Sequence, residues 1–281
     1  MARQLLNRIR FFFMERAATL IVLALACSGL LAQDFSQKGA EAMRAGRFAE
    51  AEQIYRQLVQ QFPSDAGWHA NLGLALHSQG KYKEAAEALE NSLKLRPSAG
   101  ISAVLGIDYL KLGDACRAIA PLEKTDRLDA LADANAACKR YRTAAQLYEK
   151  LSKPRLAGHA YWLARDYKDA RRVFASIATP YRDEAEFNYE YGDTLLRSEG
   201  SEAAIPLLER ATTLIEGRAA LGKAYVEAGR FKEAIPHLEA AINADPDLLL
   251  PLSRAYKATG RAADADRALS EYRKRQAQAV K

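Results

Sequence analysis

The sequence predicts an all-α protein built as an array of about eight antiparallel helix hairpins. Three observations predict it. Alanine and leucine dominate while runs of Thr, Val and Ile are scarce, a balance that favours helix over sheet. Three residue columns recur in eight rows along the chain. Glycines fall at regular places between the apolar stretches, where helices must turn.

The first 33 residues stand apart. They hold Arg3, Arg8, Arg10 and Arg16 against Glu15 alone, and then run uncharged from Ala17 to Ala32. A basic stretch followed by an apolar one of this length reads as an export signal. Three fates fit it: cleavage after the small residues near Ala26, Ser28 and Ala32; retention as an anchor lengthened by Phe11, Phe12, Phe13 and Met14; or lipidation of Cys27 behind Ala24-Leu25-Ala26, which resembles a bacterial lipobox. The expected location is therefore periplasmic or extracellular, with membrane contact only through residues 1–33 or a lipidated Cys27.

The same segment inflates the net charge of +6. The remainder carries 37 basic and 34 acidic side chains, interleaved along the chain. So slight an excess does not point to nucleic acid, which asks for a clustered basic face. A hydrophobic share of 49% suffices for a core, and a charged share of 27% argues against disorder.

The columns organise residues 34–281. Ala51, Ala85, Ala118, Ala144, Ala170, Ala204, Ala234 and Ala265 are each followed four residues on by Tyr55, Leu89, Leu122, Tyr148, Phe174, Leu208, Leu238 and Leu269. An i, i+4 pair shares one helix face, so each alanine and its bulky partner point the same way. Twelve residues before each alanine stands a small residue: Gly39, Gly73, Gly106, Ala132, Gly158, Gly192, Gly222 and Ser253. It belongs to a preceding helix that approaches closely. Leu72, Leu105, Leu131, Leu221 and Leu252, with Tyr109, Tyr161, Tyr225 and Tyr256, give that first helix its apolar stripe. Gly46, Gly80, Gly113, Gly229 and Gly260 suit the left-handed position at the turn within each hairpin. Pro63, Pro97 and Pro246 stop second helices.

These columns resemble the tetratricopeptide repeat, most clearly at 66–99 and 215–248. The resemblance implies a right-handed superhelical solenoid with approximate repeats 34–65, 66–98, 99–124, 125–150, 151–178, 181–215, 216–246 and 247–277. The alanine spacings of 34, 33, 26, 26, 34, 30 and 31 depart from the family's 34-residue period. The copies at 125–150 and 151–178 are therefore short, with helices of about ten residues. Lys38 and Ala157 stand where leucine is expected, and Asn135 where Tyr or Leu is expected.

Motifs for chemistry are weak by comparison. Gly217 to Lys223 matches the start of a phosphate-binding loop, but Ala224 stands where Ser or Thr is required and the segment reads as a first helix. His69, His77, His159 and His237 fall in different repeats without metal-ligand spacing. The hairpins leave no stretch for a catalytic domain, so the expectation is a protein that is not an enzyme and takes no metal, cofactor or nucleic acid. Cys116 and Cys138 should lie at the same end of adjacent hairpins. They form a disulfide if their Cα atoms come within about 7 Å, and otherwise stay as separate thiols.

The resemblance also implies a binding face. In the family the first helices line the concave side, and the inward positions here include His77, Ile107, Leu110, Asp133, His159, Trp162, Tyr189, Asp193, Lys223 and Arg254. Trp162 is a candidate anchor, because Trp, Tyr and Arg dominate binding hot spots; the alternative is packing on the next repeat. The clamp with which some members hold a carboxy-terminal peptide is not carried: only Asn71 matches, and Ser36, Ala40, Gly100 and Val104 occupy other clamp positions. The expectation is a non-enzymatic protein–protein interaction scaffold of the cell envelope or secreted space, binding a peptide or protein on the concave face. The alternative is an accessory or substrate-recognition subunit of an envelope enzyme complex.

Overall fold

The computed structural model describes residues 34–279, so the export signal expected in 1–33 lies outside the described residues. Among the described residues the chain is all-α. Residues 34–44 form α1. There follow α2 (Phe48–Gln61), α3 (Ala66–Ser78), α4 (Tyr82–Leu95), α5 (Ala99–Lys111), α6 (Ala115–Leu122), α7 (Leu128–Ala137) and α8 (Tyr141–Lys150). The second half holds α9 (Pro154–Leu163), α10 (Tyr167–Tyr181), α11 (Ala185–Ser198), α12 (Ser201–Leu208), α13 (Ile215–Glu227), α14 (Phe231–Ala241), α15 (Leu249–Ala258) and α16 (Ala262–Ala279). The helices belong to two compact units, one up to Ala134 and one from Asn135. Within each unit, consecutive helices pack as hairpins.

Each hairpin closes on its alanine. Ala51, Ala85, Ala118, Ala144, Ala170, Ala204 and Ala234 are fully buried. The bulky residue one turn on then lies across the small residue of the first helix. A Cβ added to Gly73 would sit 2.4 Å from Leu89 Cδ2, at Gly106 2.5 Å from Leu122 Cγ, at Gly158 2.6 Å from Phe174 Cε1, and at Gly222 2.6 Å from Leu238 Cδ2. No side chain fits there, because atoms at that distance lie well inside van der Waals contact. Where Ser253 replaces glycine, its hydroxyl donates to the Ala265 carbonyl at 3.1 Å and is thereby satisfied.

The turns explain the glycine spacing. In α3 the Gly80 N–H donates to the His77 carbonyl and the Lys81 N–H to the Leu76 carbonyl, the bond pair of a Schellman stop. Gly46, Gly80, Gly113, Gly229 and Gly260 take φ values of 72° to 81°. After α7 and α9 the same bonds form, from Lys139 to Ala136 and Arg140 to Asn135, and from Arg165 to Trp162 and Asp166 to Tyr161. The left-handed position there is occupied by Lys139 (φ 61°) and Arg165 (φ 57°) instead of glycine. For an L residue that conformation costs about 1–2 kcal/mol.

The short copies are short for the expected reason: α7, α8 and α9 have 10 residues each. The exception is α10, which extends over 15 residues. Two further second helices, α6 and α12, stop after 8 residues, and each carries a proline close to its end, Pro121 and Pro206. Proline removes a backbone donor and so weakens the last turn. Past Leu208 the chain continues only as a 3₁₀ turn, Glu209–Ala211.

Aromatic and aliphatic side chains fill the units. In the first, Tyr55, Leu58, Leu72 and Leu76 pack with Ala42, Ala51, Ala75 and Ala85. In the second, Phe174, Phe187, Tyr181 and Tyr191 form a ring cluster with centroid spacings of 5.4–5.9 Å. Beyond it Leu208, Leu221, Leu238, Leu248 and Leu252 make a continuous core.

Candidate functional site

Helix pitch and the hairpin stacking decide where the first-helix residues go. In the unit up to Ala134, His77 on α3 reaches Asp108 on α5: Nδ1 lies 2.5 Å from Oδ1. Asp108 is fully buried and its second oxygen has no hydrogen-bond partner among the described residues. Burial pushes its carboxyl pKa up, and the bond to His77 opposes the shift. The His77 ring meets Tyr82 edge-on at 5.9 Å. Ile107 and Leu110 are half-buried on α5, and Asp133 is exposed on α7.

The unit from Asn135 repeats this wiring more densely. His159 Nδ1 lies 2.7 Å from Glu190 Oε1, and Arg155 donates to Glu190 Oε2 at 2.7 Å. Trp162 donates its indole N–H to Asp193 at 2.8 Å, and Arg197 Nε donates to both oxygens of Asp193 at 3.1 Å. The pairs His77–Asp108, His159–Glu190 and Trp162–Asp193 are each 31 residues apart, one hairpin register. Glu190 and Asp193 are buried, paired with the Arg155 and Arg197 guanidiniums, and the His159 ring lies beside Glu190.

Three expected residues come together further along. Tyr189 and Asp193 on α11 and Lys223 on α13 border a pocket of about 220 Å³. Leu196, Ile215, Ala219 and Ala220 give it apolar walls, and Arg197, Glu216 and Asp245 line its polar rim. Trp162 on α9 packs behind one of its lining residues, its ring edge-on to Tyr189 at 5.7 Å. Lys223 Nζ donates to Asp245 at 3.1 Å. Burial, then the nearby Asp193 and Glu216 carboxylates, push the Tyr189 hydroxyl up to about 12. Arg254 on α15 is exposed and does not line this pocket. The arrangement offers a hole sized for one apolar side chain with charged groups around its mouth.

A second set of residues was not anticipated. Tyr161 donates to Glu149, Tyr225 to Glu209 and Tyr256 to Glu239, each at 2.6 Å, and Tyr109 donates to Glu90. Each glutamate sits five residues after a column alanine on the previous second helix. Arg117, Arg230 and Arg261 cover the rings of Tyr109, Tyr225 and Tyr256 at 4.4, 4.5 and 4.2 Å. These contacts join neighbouring hairpins. Their signal is present in the sequence as that fixed offset.

The glycine-rich stretch Gly217–Lys223 lies inside α13. A Cβ at Gly217 would sit 2.2 Å from the Ala211 carbonyl oxygen, so that glycine serves packing. Cys116 on α6 and Cys138 just past α7 are both disulfide-bonded. Among the described residues, no group of three or more His, Cys, Asp or Glu could hold a metal ion, and no helix is long and apolar enough to cross a membrane.

Stacked helix hairpins with a side-chain pocket on their first helices define a repeat scaffold. Tetratricopeptide repeat profiles match residues 37–100, 155–219 and 225–281. The chain belongs to the tetratricopeptide repeat family, protein–protein interaction scaffolds that are usually not catalytic. It is 35% identical over 101 residues to the Hsp70-Hsp90 organizing protein of Triticum aestivum, a match that spans 35% of this chain and 17% of that protein. The structure of Naa15/Naa10 bound to HypK-THB aligns over 80% of this chain and 39% of its own, with a TM-score of 0.54 and 16% identity. A tetratricopeptide repeat protein from Parabacteroides merdae aligns over 80% of this chain and 98% of its own, with a TM-score of 0.43 and 15% identity. At 16% identity the Naa15/Naa10 structure speaks for the fold alone.

Proposed function

We propose that this chain is an exported, non-enzymatic interaction scaffold that holds a peptide or protein segment on its first-helix face. The observation that carries the reading is the pocket between α11 and α13, where Tyr189, Asp193 and Lys223 surround apolar walls. A volume of about 220 Å³ suits one apolar side chain of the partner. Glu216 at the rim is exposed and makes no ion pair among the described residues, so a basic residue beside that apolar one complements it. Within the unit from Asn135, His159, Trp162 and Arg254 belong to the same first-helix face, with Trp162 bonded to Asp193 and edge-on to Tyr189; in the unit up to Ala134, His77, Ile107, Leu110 and Asp133 stand on first helices of their own.

The similarity to the Hsp70-Hsp90 organizing protein does not carry its partners over. Ser36, Ala40, Gly100 and Val104 stand at positions where a carboxylate-clamping repeat needs Lys, Arg or Asn. Export is supported by the arginine-led apolar stretch at the N-terminus and by the disulfide state of Cys116 and Cys138, since such bonds persist in oxidising compartments.

Crosslinking and capture from native membranes tests the reading. Wild-type protein should retain a partner that Tyr189→Ala combined with Lys223→Glu loses, with the helical fold of the variant intact. Equal capture by both proteins sinks the pocket. An enzyme as the captured partner would assign the scaffold to an enzyme complex as its accessory subunit.

A further inference from the structure

We propose that the hairpin tips at Lys139–Thr143 and Leu163–Arg165 form a second docking groove, separate from the pocket on α11 and α13, that takes an acidic polypeptide segment. Lys139, Arg140, Tyr141, Arg142 and Thr143 line one side of a groove of about 400 Å³, and Leu163, Ala164 and Arg165 line the other.

Three features point to an anionic occupant. Lys139, Arg140 and Arg165 are exposed, and none makes an ion pair among the described residues. Arg142 alone is neutralised, by Asp166. The corresponding cations at other tips are covered: Arg47 by Glu50, Lys81 by Glu52, Arg230 by Glu233 and Arg261 by Asp264. In three of those tips the acid stands three residues after the cation. After Arg140 that place holds Thr143, which leaves the charge open.

The backbone gives an independent argument. Lys139 and Arg165 occupy the left-handed turn position that glycine fills at Gly46, Gly80, Gly113, Gly229 and Gly260. Glycine would make the same turn without strain. At both tips bordering the groove a long cation stands in its place, with its side chain at the groove. Non-glycine residues in that conformation cluster at functional sites, and these two line one groove.

Charge complementarity and shape select the occupant. Leu163 is 37% exposed between the cations, so an apolar residue flanked by carboxylates matches the lining. An extended acidic segment can enter a recess between two tips. A flat anionic membrane would meet only their ends, and a nucleic acid asks for a longer basic track than one groove supplies.

The test uses the full chain and a fluorescein-labelled peptide of glutamates around a central leucine, read by anisotropy. Its glutamine counterpart and phosphatidylglycerol vesicles serve as the other probes. The acidic peptide should bind, more weakly as salt rises, and the glutamine peptide should not. Arg140→Glu with Arg165→Glu should weaken binding about tenfold or more. Tyr189→Ala should leave it unchanged, which separates this groove from the pocket. Lys139→Gly with Arg165→Gly should weaken binding and raise the melting temperature together. Unchanged affinity in the charge-reversed variant, or binding to vesicles but not to the peptide, overturns the proposal. A glycine variant that melts lower overturns the claim that the turn is strained for the sake of the ligand.

Discussion

Single residues show what holds the hairpins. At Gly73 a Cβ would meet Leu89 at its branch carbon, 2.6 Å away, where the side chain has little freedom to swing aside. Gly73→Ala should therefore cost about 1–3 kcal/mol as an overpacked contact. Gly100 has nothing within 4 Å of the same added atom, so Gly100→Ala should be neutral or stabilise by up to about 1 kcal/mol. Urea melts of the two variants check the contrast. Glu52 gives a pH test. Burial alone would raise its pKa, but hydrogen bonds from Lys81, Gln79 and Arg56 outweigh that and hold it at about 2. A depressed carboxyl contributes stability above its unfolded value of 4.5 that is lost as pH falls through about 2. The deficit of Glu52→Gln relative to wild type should therefore shrink steadily across that window, as seen in acid melts. Tyr225 and Tyr256 act at the other end. Burial, then bonds to Glu209 and Glu239, raise them from 10.0 to about 12. A raised tyrosine favours the fold below its unfolded value and loses that contribution between pH 10 and about 12. The double change to phenylalanine should flatten alkaline unfolding over that range.

At the scale of helices, the sequence was legible wherever a pattern repeats. The alanine, bulky and small columns marked every hairpin because each reports one contact made again and again, Gly222 against Leu238 as much as Gly73 against Leu89. Ala85→Glu or Ala234→Glu should be costly for the same reason. Each alanine is fully buried, and an unpaired charge there should lose about 3–5 kcal/mol, measurable as a lower denaturation midpoint. The tyrosine–glutamate bonds were equally periodic but went unread, since the glutamates looked like part of a solvated face. Helix α10 runs longer than the 26-residue spacing before Ala170 implies because its length is accommodated in the 34 residues from Ala170 to Ala204. The groove cations were hidden by even charge mixing along the chain. Lys139 and Arg165 stand at separate turns and share a wall only once α8 and α9 pack together.

At the scale of the whole molecule, the family was legible and the partner was not. A repeat column reports how hairpins stack, whereas a pocket depends on which residues three helices bring together. Tyr189, Asp193 and Lys223 were marked by their positions on first helices, but Glu216 and Asp245, which shape the rim, carried no such mark. The N-terminal reading has its own test. Replacing Leu23 and Leu25 by arginine should retain the protein in the cytoplasm, because an export signal needs an unbroken apolar stretch. Unchanged fractionation would remove the export proposal while leaving the scaffold untouched. The central claim is that a partner lies on the first-helix face. The most direct measurement places a photoreactive phenylalanine analogue at Leu196, in the pocket wall, and separately at Lys232, exposed on the second helix α14, in the full-length protein in its native cells. The account predicts a discrete covalent adduct from position 196 and none from position 232. Identical adducts from both positions, or none from position 196, would contradict it.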